Sequence, residues 1–143
     1  MSTLSNIITD TNVLTESSSN TVSNKTISGS SNTLTNLDAT KILETSTAIA
    51  ASNIDVSTGN YFTKTISTAT TFTVTNVASS GTVSSFILVL TNGGSSTVTW
   101  WSGVTWDVGS APNLTSSGID ILGFFTIDGG TTWRGLVLGQ AMA

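Results

Sequence analysis

The stretch that decides the fold is Gly118–Gly139, GIDILGFFTIDGGTTWRGLVLG. Ile119, Ile121, Phe125 and Ile127 recur at a period that places them on one face of a strand, with Asp120 on its solvent face. Asp128-Gly129-Gly130 then supplies backbone that turns at little steric cost, and Thr131–Leu138 returns with Trp133, Gly135 and Val137 opposite. This reads as a closing antiparallel hairpin.

Moving toward the N-terminus, the same logic repeats. Val83–Leu90 is continuously apolar after Ser85, as expected of a central strand covered on both sides. Asn92-Gly93-Gly94-Ser95 reads as a hairpin turn into Thr97–Trp101. In Thr71–Val77, Phe72 and Val74 point inward, and in Tyr61–Ile66, Phe62 and Ile66 do so. Pro112, the single proline of the chain, falls in a loop and leaves the candidate strands free of a residue that cannot donate to a ladder. Strands with turns at near-regular spacing predict an all-β fold, an antiparallel β-sandwich or jelly-roll-like domain over residues 51–143.

Residues 1–50 differ. They contain no Trp, Phe or Tyr, and their apolar residues come singly or in pairs. Such a segment buries too little surface to offset its ordering entropy, so an extended N-terminal arm that folds on a partner is expected. Within it, Thr21–Leu37 holds two β-prone stretches around Gly29-Ser30-Ser31-Asn32. Between Asp38 and Ala51 a short helix capped by Asp38 and burying Ala39, Ile42, Leu43 and Ile49 competes with an irregular reading, because Thr40, Thr45 and Thr47 weaken it.

Composition excludes most chemistry. The 143 residues include no Cys and no His, and about a third are Ser or Thr. Ser-His-Asp and Cys-His nucleophiles cannot be assembled, and imidazole or thiolate zinc sites cannot form. A net charge of −4 with four scattered basic residues, Lys25, Lys41, Lys64 and Arg134, offers no footprint for nucleic acid. The longest apolar run, Phe86–Leu90, is far short of a membrane span. A two-carboxylate glycosidase needs only Asp and Glu, and Asp107, Asp120 and Asp128 are the candidates. Each has a plainer reading: Asp128 in its turn, Asp120 on a solvent face and Asp107 in a loop. No EF-hand spacing is present, and the glycine-rich turns neither precede Lys nor open a helix. We expect no enzyme activity, no cofactor and no metal.

Trp100, Trp101, Trp106 and Trp133 are concentrated near the C-terminus. Burial or interface anchoring is their default role, and stacking on sugar rings is the functional alternative. If Trp100 and Trp101 lie on a strand they point to opposite faces, so at most one of them faces the core.

Two blocks resemble virion proteins of tailed bacteriophages, marine and cyanobacterial ones in particular. TVSNKTISGSSNTLTNL (Thr21–Leu37) is similar to a stretch that links domains in tail fibres. The block from GNYFTKTIS (Gly59–Ser67) through SSFILVLTNGGSSTVTWW (Ser84–Trp101) to GIDILGFFTIDGGTTWRGLVLG resembles a small β domain of tail-fibre and capsid-surface proteins. The resemblance implies a virion structural protein, usually a homotrimer. Its partners would be copies of itself and the major capsid or tail proteins of the same particle. The leading expectation is a capsid decoration or cement protein. The alternatives are a short tail fibre or tail adaptor binding a host surface glycan, and a free-standing carbohydrate-binding module.

Overall fold

The computed structural model describes residues 41 and 43–142. The chain divides into two units, Met1–Thr40 and Lys41–Ala143, and the described residues all belong to the second. Most of the expected arm, with the β-prone stretches of Thr21–Leu37, lies outside the described residues. Its last part does not: residues from Lys41 onward belong to the second unit, about ten positions before the boundary expected at 50/51.

The described chain is all-β. Its strands are β1 (Thr47–Ala48), β2 (Asn53–Asp55), β3 (Tyr61–Thr65), β4 (Thr70–Thr71), β5 (Thr73–Thr75), β6 (Ser84–Thr91), β7 (Val98–Thr99), β8 (Val104–Trp106), β9 (Ile119–Thr126) and β10 (Trp133–Met142). The helix considered over Asp38–Ala51 does not form in its described part, where Thr47 and Ala48 pair with β3. β-branched threonines at alternate positions favour that extended backbone.

The pairing is mixed, which corrects the expectation of an antiparallel domain. A six-stranded sheet runs in the order β1-β3-β6-β9-β10-β8, and two small sheets pair β2 with β5 and β4 with β7. Only β6/β9 and β9/β10 are antiparallel. The pairs β1/β3, β3/β6, β2/β5, β4/β7 and β8/β10 are parallel. Thr47 lies opposite Phe62, and Tyr61 opposite Ile87. From Thr47 to Thr99 the chain therefore winds, laying β1, β3 and β6 side by side on one wall, β2 and β5 on a second, and β4 and β7 on a third. Parallel neighbours require a crossover between them, and here the intervening short strands supply it.

The expected hairpin after β6 is replaced by a corner. Asn92 adopts a left-handed conformation (φ 56°) before a 3-10 turn at Gly93–Ser95. Asn92 Oδ1 accepts from Gly118 N at 3.1 Å, and Gly94 N donates to Thr115 O. Because the 115–118 segment takes these bonds, the chain leaves the main sheet and β7 joins β4.

The closing hairpin does form, β9 against β10, with Arg134 opposite Phe125 and Gly135 opposite Phe124. Its inward face is the reverse of the expected one. Asp120, Leu122, Phe124 and Thr126 are buried, whereas Phe125 and Ile127 are exposed. The inner face of the main sheet carries Phe62, Leu88 and Leu122 in one row and Phe86, Phe124 and Gly135 in the next. With Ile49, Ile54, Ile66, Phe72, Leu90 and Trp133 they form one core.

Candidate functional site

The four tryptophans gather with Phe62, Phe72, Phe86 and Phe124 into one cluster centred on Phe124. Its ring centroid lies 4.8 Å from that of Trp101, 5.2 Å from Phe86, and 5.5 Å from both Trp100 and Trp106. Phe86 in turn meets Trp133 at 5.5 Å and Phe62 at 5.6 Å, both edge-on. These separations and tilts are those of favourable aromatic pairs. Trp106 lies against Gly135, where a Cβ would come within 2.8 Å of the indole ring. Glycine at 135 is what lets the ring approach the sheet.

All four tryptophans are thus drawn together. Trp133 retains 1% of its surface and offers no ring face to a sugar or a neighbour. Trp100, Trp101 and Trp106 are half-buried and pack against the core. The expected division of Trp100 and Trp101 between opposite faces does not occur. They follow β7 in irregular backbone, where strand alternation does not apply, and both reach Phe124. Trp101 Nε1 is buried without a hydrogen-bond partner.

The three candidate carboxylates are not brought together as an acid-base pair; each is taken up separately by backbone and hydroxyl donors. Asp120 is fully buried rather than solvent-facing. Its Oδ2 accepts from Thr115 N at 2.6 Å, and its Oδ1 from Thr115 Oγ1 at 2.6 Å and Ala141 N at 3.2 Å. It ties the 115 loop to the end of β10, and three donors offset the burial of a carboxylate. Asp128 Oδ1 accepts from Thr132 N and Thr126 Oγ1. Those two bonds hold its carboxyl below the usual range, the Thr132 amide foremost. Asp107 is exposed and accepts from Val108 N. Asp55, not singled out from the sequence, accepts from the Ser57 hydroxyl, the Asn76 amide and the Ser57 backbone, which lower its pKa in that order. Among the described residues no three His, Cys, Asp or Glu side chains converge on a metal position. No described helix is long and apolar enough to cross a membrane.

The sequence predicts that Val83–Leu90 is covered on both sides, but it does not single out the residues that form the outer face of the main sheet. Tyr61, Ile87, Gly123 and Leu136 stand in one cross-strand row, with Ser85, Phe125 and Arg134 in the next. Leu138 covers Gly123, whose missing side chain leaves room for it. Tyr61, Phe125, Leu136 and Leu138 are all exposed. A shallow groove of about 340 Å³ runs between these rows, with Glu44 and Asn60 at one end. The signal for this face was present: β6 and β9 are apolar at successive positions rather than alternate ones.

Comparison of the chain with protein-family models, curated proteins and solved structures finds no match.

Proposed function

We propose that this chain is a non-enzymatic structural protein of a tailed-phage virion, a homotrimeric capsid decoration or cement protein. In this reading the β domain, a small sandwich-like body, sits on the head. The residues preceding Lys41 form the arm that extends over neighbouring subunits. The observation that carries it is how the large aromatic side chains are used. The four tryptophans, Phe86 and Phe124 are packed against one another, and Asp120 and Asp128 are taken up by nearby backbone and hydroxyl donors, which suits a body whose task is to be rigid. A tail-fibre tip that stacks sugars on tryptophan would need those ring faces in solvent, and Trp133 is 1% exposed.

Cryo-electron microscopy of the intact particle tests the proposal. The expected result is density matching the Lys41–Ala143 unit at regular positions on the head surface. Density at the tail tip, or the absence of the protein from purified particles, overturns it.

A further inference from the structure

We propose that the outer face of the six-stranded sheet is an interface between copies of this chain, with Glu44 of one copy set against Arg134 of the next. This deepens the reading above and rests on it for the homo-oligomer, while assigning the surface that makes it.

The middle of this face is apolar. Tyr61 keeps 41% of its surface in solvent, Phe125 39%, Leu136 38% and Leu138 56%, and half-buried Ile87, Val89 and Ile121 connect them in register. A contiguous apolar area on neighbouring strands, flanked by polar residues, is the mark of an association surface, whereas scattered apolar residues are not. Aromatic and aliphatic groups in the centre with charges kept to the rim is also how such interfaces are built.

The two charges of this face lie at its opposite ends. Glu44 lines the groove on the β3 side, where its Oε2 accepts from Asn60 Nδ2 at 3.1 Å. Arg134 stands on β10, where Nη1 donates to Thr105 Oγ1 at 2.9 Å. Both belong to the same level along the strands. Asn60 precedes Tyr61, which pairs with Ile87, while Arg134 pairs with Phe125 and through it with Ser85. Rotation about an axis parallel to the strands preserves that level. It brings the β10 end of one face to the β3 end of the next, opposing Arg134 to Glu44 at every contact in a closed ring. The face thus complements itself in charge as well as in apolarity, which points to a second copy as its occupant. A glycan site would instead need convergent polar groups in the centre of the groove.

The test uses the full chain in sedimentation velocity at micromolar concentration, with circular dichroism to check the fold. The wild type should sediment at an integral multiple of the chain mass, three copies fitting the reading above. Phe125→Asp and Leu136→Asp should sediment as monomers with unchanged spectra. Glu44→Arg and Arg134→Glu should each weaken assembly about tenfold or more, and the double variant should recover most of that loss. Oligomers of unchanged mass in Phe125→Asp and Leu136→Asp, or a double variant as weak as the singles, overturn the interface and leave the virion reading standing. A wild type that remains monomeric overturns the interface and the homo-oligomer together, as does a monomer that binds bacterial surface polysaccharide through Phe125. Charge-swap recovery in a protein absent from particles overturns the virion reading alone.

Discussion

Trp133 and Asp120 show how differently two residues of one hairpin can be read. Trp133 begins β10 and was expected to be an anchor; at 1% exposure it is one. Trp133→Ala should cost about 3–5 kcal/mol, seen as a lowered midpoint in denaturant titration. The sequence pattern places Asp120 on the surface, because a carboxylate within an apolar run ordinarily marks the wet face. The structure buries it on the amide and hydroxyl of Thr115, in the preceding loop, and on the amide of Ala141 at the end of β10, donors from outside the strand that the strand's own pattern could not reveal. The carboxylates that end β2 and open the hairpin turn carry a pH dependence. Asp55 and Asp128 are both lowered by hydrogen bonds, so the folded state binds their protons less tightly than the unfolded chain does. Their stabilisation is complete above the ordinary carboxylate pKa of about 4 and is lost as pH falls through the lowered folded values. Thermal melts should shift downward on acidification below about pH 4, and less so in the Asp55→Asn, Asp128→Asn double variant.

At the scale of the element, the hairpin was legible and its orientation was not. Asp128-Gly129-Gly130 announced a turn, and positive φ at Gly129 (70°) and Gly130 (85°) makes it one. Thr126 Oγ1 accepts from Gly130 N at 3.2 Å and Asp128 Oδ1 from Thr132 N at 2.9 Å, fixing both sides of the reversal. Gly129→Val forces a β-branched side chain into that conformation and should cost about 1–3 kcal/mol, measurable in the same denaturant titration. The inward face of β9 is ambiguous in the sequence because Ile119–Ile127 is apolar on both faces. A period of two then has no preferred phase, and the single charge, Asp120, tipped the choice the wrong way. Winding was hidden for another reason. Strands of two or three residues such as β4, β5 and β7 have no periodicity to display, and Asn92-Gly93-Gly94-Ser95 fits a hairpin and a corner equally well.

For the molecule as a whole, the all-β class followed from composition and turn spacing, while the boundary of the compact unit depended on tertiary contacts of residues 47–50. Ile49, 8% exposed, belongs to the core, and Lys64 Nζ donates to the carbonyls of Ile49 and Ala50. A chain starting at Lys41 should therefore melt as the complete domain, whereas one starting at Ala51 should lose about 2–5 kcal/mol of stability with β1 and Ile49; calorimetry of the two truncations separates them. The winding also sets the order in which the domain can assemble. The two antiparallel pairs, β6/β9 and β9/β10, adjoin at β9, and only the second is closed by a tight turn. Every parallel pair must first close a loop that returns nothing until both its strands are in place. The hairpin should nucleate, with β6 docking next and β3 and β1 added last. Gly129→Val should consequently slow refolding, and Ile49→Ala should mainly hasten unfolding; stopped-flow chevrons would show the two substitutions on opposite limbs.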